Sequence, residues 1–148
     1  MKKLYVLIGI PNSGKSTWTE NLKKDTPVEV INMDDIRFQL TGSMSDQSRN
    51  KDVFGKATGK FRQALVAGVE TIVWDNTTVS RSYRKDLIAE SKDHGYQVIA
   101  VFFKVSLTEA KLRNSKRDRV VPEDVLDRMH NKLQPPSLEE GFTEVIEV

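Results

Sequence analysis

The residues with the clearest chemical signature are Gly9-Ile10-Pro11-Asn12-Ser13-Gly14-Lys15-Ser16-Thr17. They fit G-x-x-x-x-G-K-[ST] and stand directly behind the apolar run Leu4-Tyr5-Val6-Leu7-Ile8. Glycines at the two fixed positions let the backbone curl so that successive N–H groups point inward at phosphate oxygens, and the helix that follows adds its positive end. Lys15 is placed to reach the β- and γ-phosphates, Ser16 offers a hydroxyl suited to Mg²⁺, and Thr17 faces the α-phosphate side. The competing reading is a chance glycine-rich turn. Two glycines in register with Gly-Lys-Ser, immediately after a strand, argue against it.

Carboxylates and cations complete the list of chemical candidates. Val28-Glu29-Val30-Ile31 reads as a strand, and Asn32-Met33-Asp34-Asp35-Ile36-Arg37 leaves its carboxyl end, the edge at which open α/β sheets bind ligands. Asp34 can serve as a general base there, or it can simply cap the helix that carries Ile36 and Leu40. Asp75-Asn76-Thr77-Thr78 leaves a third strand in the same way. Asp75 there can hold the water shell of Mg²⁺ or initiate a turn. From Lys111 to Arg119 five basic residues crowd nine positions, broken by Asp118. That run can be a solvated helix end, or a lid whose guanidinium groups neutralise a transferring phosphate. Arg113 and Arg117, four apart, are expected to share one helix face. His94 and His130 have no partner ligand and read as helix-end residues.

The elements that must position these groups follow an alternating β and α order. Helices are expected from Lys15 to Lys24 with Trp18 and Leu22 on one face, and through Val53, Ala57, Phe61 and Leu65 up to Gly68. A further helix runs from Ser80 to Asp93 with Tyr83, Leu87 and Ile88 turned inward and Gly95 as its stop. Ser106 and Glu109 form a capping box, and Pro122 takes the first helical position of a helix with Val125, Met129 and Leu133 on one face. Strands are expected at Leu4–Ile8, Val28–Ile31, Thr71–Trp74, Gln97–Phe103 and in the tail Phe142–Val148. The polar stretch Thr41–Asn50 is a connection that can edge the substrate entrance. The sum is an α/β protein, a parallel sheet of about five strands flanked by helices.

The chain has 148 residues, which fits a single domain, residues 1–148. No apolar stretch is long enough for a bilayer, and the opening Met1-Lys2-Lys3 runs into the phosphate loop instead of a cleavage site. The absence of cysteine excludes disulfides and thiolate zinc sites and fits a cytoplasmic location. The formal charge of +2 is too small to argue for nucleic acid by itself.

Taken together, these residues resemble the P-loop kinase domain of polynucleotide kinases, most closely the kinase half of phage polynucleotide kinase/phosphatases. The resemblance is carried by Gly9-x-x-x-Ser13-Gly14-Lys15-Ser16-Thr17-Trp18, Ile31-Asn32-x-Asp34-Asp35-x-Arg37 and Asp75-Asn76-Thr77. Arg113-Asn114-Ser115-Lys116-Arg117 and Val121-Pro122-x-Asp124-Val125-Leu126 complete it. It implies a P-loop NTPase fold with a basic lid and transfer of the ATP γ-phosphate to 5′-hydroxyl ends of DNA or RNA in nucleic-acid repair, with Mg²⁺ held by Ser16 and, through water, Asp75. By the same resemblance Gly9, Pro11, Asn12, Ser13, Gly14, Lys15, Ser16, Thr17 and Val121 bind ATP. Arg113 and Arg117 are lid arginines, Asp34 is the general base, Arg37 holds the acceptor's 3′-side phosphate, and Asp75 and Thr77 lie beside the acceptor. Nothing here resembles an Asp-x-Asp-Gly-Thr phosphatase signature, and the ending Glu140-Gly141-Phe142 is similar to the close of animal polynucleotide kinase domains, which implies a standalone kinase. The Thr41–Lys56 stretch does not follow the family pattern. A P-loop kinase of a sugar, antibiotic or nucleotide, and a non-catalytic nucleotide-binding module, are the alternatives.

Overall fold

A computed structural model describes residues 1–148. Five parallel strands form one sheet: β1 (Lys3–Ile8), β2 (Glu29–Ile31), β3 (Thr71–Trp74), β4 (Gln97–Phe102) and β5 (Glu144–Glu147), in the spatial order β2-β3-β1-β4-β5. The helices are α1 (Lys15–Asp25), α2 (Met33–Thr41), α3 (Asn50–Ala67), α4 (Arg81–Asp93), α5 (Leu107–Ser115) and α6 (Glu123–Lys132). The chain moves outward from β1 to β2, returns to β3, then crosses to β4 on the other side of β1. That reversal opens a crevice at the carboxyl end of β1, where the phosphate loop lies.

β1, β3 and β4 are apolar on both faces because both faces are covered. Leu4, Val6 and Ile8 join Ile72, Trp74, Val98 and Ala100 on one face, packed by Val53, Ala57, Phe61 and Leu65 of α3 and by Leu87 and Ile88 of α4. Leu7, Val73, Val101 and Phe103 form the smaller opposite cluster under Trp18 and Leu22 of α1. Glu29 and Glu144 mark β2 and β5 as the edge strands.

Three expectations change on the structure. Tyr83 is 58% exposed and packs edge to face on Phe54, because the inward position one residue later is taken by Arg84. Arg84 is fully buried and satisfied: its Nε and Nη2 fork onto Glu140 at 2.8 and 3.0 Å, and its remaining donors reach the carbonyls of Thr78, Val79 and Gln134. A hydrophobic pattern cannot reveal a buried cation whose partner lies 56 residues away. Pro122 is the cap of α6, one position before the first helical residue. At α5, Ser106 accepts from the Glu109 amide, but the Glu109 carboxylate turns to Arg113, so the capping box is only half made.

Candidate active site

The phosphate loop is shaped by two glycines. A Cβ on Gly9 would stand 2.5 Å from Ser13 Oγ, and Gly14 has φ of 107°, a conformation that suits glycine alone. Asn12 also takes a positive φ, 69°, which Asn tolerates better than most side chains. The Gly9 amide donates to the Thr77 carbonyl at 3.1 Å, tying the loop to the segment that leaves β3. Lys15 arches back over the loop, its Nζ 2.8 Å from the carbonyls of Gly9 and Ile10. Burial lowers its pKa to about 8, against the opposing pull of Asp75 and Asp34.

Asp34 does not cap α2. Asn32 is the cap, its side chain accepting from the Asp35 amide at 3.0 Å, so the Asp34 carboxylate is not spent on capping and lines the cleft, while Asp35 is exposed to solvent. Arg37, one turn on, donates to Asp34 Oδ1 at 2.6 Å and is steadied by Asn50 at the start of α3. Asp75 is buried beside Lys15. Burial raises its pKa, while the Lys15 ammonium and a hydrogen bond with Asn32 hold that rise back. Its neighbour Asn76 accepts from the Met33 amide at 2.8 Å and donates to the Ile31 carbonyl, locking the ends of β2 and β3 together.

The basic run departs from the expected geometry. α5 ends at Ser115, so Arg113 is helical and Arg117 lies in the turn beyond it, and the two share no helix face. They meet instead on Asn12: Arg113 Nη1 donates to its carbonyl at 3.1 Å and Arg117 Nη1 to its Oδ1. Buried Asn114 makes this possible. Its side chain bonds both backbone groups of Val121, at 2.6 and 2.9 Å, and accepts from Asn12 Nδ2 at 3.2 Å, closing the 115–120 turn against the phosphate loop. Arg119, further along the turn, reaches across to Asp34 Oδ2 at 3.1 Å.

These groups line a single cleft of about 1420 Å³, above the range usual for one drug-sized ligand and roomy enough for a donor and an acceptor. Pro11, Asn12, Ser13, Gly14, Lys15, Ser16 and Thr17 line it, with Asp34, Arg37, Asp75 and Thr77 from the segments that follow β2 and β3 and Arg113, Arg117 and Val121 from α5 and the connection after it. Gly9 alone among the anticipated residues does not line it, since it lies beneath Ser13. Met44, Ser45 and Gln47 from the α2–α3 connection edge the entrance. Sequence reasoning missed Asn114, an unremarkable helix residue until its partners are seen. It also left Arg119, counted in the basic run, without a role, and it passed over Arg128 and Lys132 on the cleft-facing side of α6. No cluster of three or more His, Cys, Asp or Glu exists to hold a metal by itself. The oxygen donors Ser16 and Asp75 fit Mg²⁺, which keeps most of its waters, and a buried carboxylate whose pKa burial has raised gains from a cation nearby.

A parallel sheet in this order, with a phosphate loop behind its central strand and a basic roof, defines a P-loop kinase fold. The family described as AAA domain matches residues 4–136, and the chain belongs to it. A relative from Autographa californica nuclear polyhedrosis virus, carried under the name polynucleotide kinase/RNA ligase, is 31% identical over 136 residues, covering 82% of this chain. This chain spans only 19% of that protein's length. Among solved structures, the Pnkp1/Rnl/Hen1 RNA repair complex aligns with a TM-score of 0.78 at 21% identity, over 90% of this chain and 44% of the other. A gluconokinase from Sinorhizobium meliloti 1021 aligns with 0.63 at 19% identity, over 99% and 81%. At these identities the structural likenesses establish the fold. No helix is long and apolar enough to cross a membrane.

Proposed function

We propose that this P-loop kinase transfers the γ-phosphate of ATP to the 5′-hydroxyl end of DNA or RNA, as in nucleic-acid repair. The observation that carries the reading is the cationic lining of the cleft, to which Arg37, Arg119, Arg128 and Lys132 contribute besides the phosphate-loop lysine and the two arginines on Asn12. A polyanionic acceptor suits such a wall, whereas a neutral sugar calls for hydroxyl-binding amides and carboxylates. In this reading the Asp34 carboxylate accepts the proton of the attacking hydroxyl, and Arg37 exchanges its contact with Asp34 for the acceptor's 3′-side phosphate. Lys15, Arg113 and Arg117 neutralise the charge that spreads over the γ-phosphoryl oxygens. Ser16 and, through water, Asp75 would hold Mg²⁺, which would supply positive charge against the developing phosphate charge.

Transfer of labelled γ-phosphate from ATP to a panel of 5′-hydroxyl oligonucleotides, nucleoside 3′-phosphates, nucleosides and sugars tests the proposal. Oligonucleotides and 3′-phosphates are the expected acceptors, with KM for oligonucleotides rising steeply with salt. Arg37→Ala is expected to raise KM by about tenfold for a nucleoside 3′-phosphate, the loss of one charge-assisted contact, and to leave the ATP KM unchanged. Preferred transfer to a sugar, or equal damage by Arg37→Ala with acceptors that carry and lack the phosphate, overturns it.

A further inference from the structure

Asp34 is held from both sides. Arg37 occupies Oδ1 from within α2, and Arg119 occupies Oδ2 from the α5–α6 turn, 85 residues away in the chain. The first contact is an i,i+3 pair that α2 alone can make; the second exists only because Asn114 fastens the turn over the cleft. A guanidinium on each oxygen spends a lone pair of each on an ion pair and covers the carboxylate against a hydroxyl that would donate to it.

We propose that Arg119 is a latch on Asp34 that an anionic acceptor releases, so that the base becomes available only when a phosphate-bearing substrate is in place. This rests on the reading of Asp34 as the base. The contact has the right strength for such a device. Both side chains are partly exposed, 37% and 42%, and ion pairs of that kind favour the closed arrangement by a factor of only about five. Guanidinium binds phosphate as a two-pronged fork, so the acceptor's 3′-side phosphate that draws Arg37 off Oδ1 also competes with the Asp34 carboxylate for Arg119. A neutral acceptor and water offer no such exchange and find the base still covered. The latch therefore favours anionic acceptors and suppresses loss of ATP to water. In that side reaction Asp34 takes a proton from water, the water oxygen bonds to the γ-phosphorus, the bond to the β-bridging oxygen breaks, and ADP and phosphate leave.

The test uses ATP and water first. Arg119→Ala is expected to raise acceptor-free ATP hydrolysis by about fivefold, the factor by which the latch keeps the base covered. Arg119→Lys, which keeps one charge but not the fork, should fall between. The gain must vanish in the Arg119→Ala/Asp34→Asn double variant. In the transfer assay the ratio of kcat/KM for a nucleoside 3′-phosphate over the unphosphorylated nucleoside should shrink in Arg119→Ala. Hydrolysis that is unchanged or lowered, or a gain that survives in the double variant, overturns the latch. The hydrolysis arm needs no nucleic acid. A parent that phosphorylates no 5′-hydroxyl acceptor would thus refute the polynucleotide reading and leave the latch to be decided by ATP alone.

Discussion

Seven consecutive residues, Pro11 to Thr17, line the proposed donor end of the cleft, whereas the proposed acceptor end takes Asp34, Asp75 and Arg119 from three separate segments. The donor end is made of backbone. Its shape follows from Gly9, Gly14 and the turn into α1, and Lys15 is held by carbonyls only five and six residues away. The acceptor end is made of side chains held by other side chains, through ion pairs and amide contacts that a substrate can exchange. A contiguous loop fixes where a phosphate goes, and an assembled wall can be reset for different acceptors without touching that loop.

The widest separation between the two ends is expected with Lys15→Ala. Removing the ammonium from the transferring phosphate should lower kcat on the order of 10³-fold for every acceptor alike, with the protein folded by circular dichroism; near-normal turnover would end the assignment. Asp34→Asn strikes the other end. The amide keeps the shape but takes no proton, so kcat should fall about 10²-fold with ATP binding intact, while the outward-facing Asp35→Asn stays near parental. If Asp35→Asn is instead the inactive variant, the acceptor end has been misassigned. Arg113 and Arg117 straddle both ends. Because two guanidinium groups divide a role worth about 10³–10⁵-fold, each alanine variant should lose kcat by about 10²-fold or less and barely alter ATP affinity. Titration calorimetry showing collapse of ATP binding with kcat preserved would make them donor-end anchors.

The smallest effect is one of pH. With Lys15 near 8, the ammonium that ATP requires is progressively lost in the free enzyme above that value. kcat/KM for ATP should then fall by about tenfold per unit while kcat at saturation holds to higher pH. A flat kcat/KM profile to pH 9.5 would contradict it. For stability the sign is opposite: between about 8 and 10.5 the unfolded chain binds more protons than the folded one, so this group's contribution to stability rises with pH through that window.

The same contrast explains what could be read in advance. The phosphate loop, the parallel sheet implied by alternating elements and the core face of α3 are local patterns, and they appear where expected. The convergence of Arg113 and Arg117 on Asn12 does not follow from a helical repeat, because α5 ends between them. Asn32 rather than Asp34 caps α2, since both residue types cap well and only geometry chooses. Asn114, Arg84 and Arg119 act through partners 50 to more than 100 residues distant, and a single chain carries no local mark of such pairings.

The buried fork between Arg84 and Glu140 imposes an order of assembly. Arg84 sits near the middle of the chain, and its donors also grip the Thr78 and Val79 carbonyls just behind the cleft residues Asp75 and Thr77. During synthesis from the amino terminus, Glu140 emerges long after the phosphate loop and β3. Until then a cation that costs about 3–5 kcal/mol to bury unpaired cannot turn inward from α4. The phosphate loop can therefore form early, but the wall beside it matures only once Glu140 is in place. Released chains ending before and after residue 140 should differ in protease resistance around Thr78, and indistinguishable digests would show that the fork follows assembly instead of completing it.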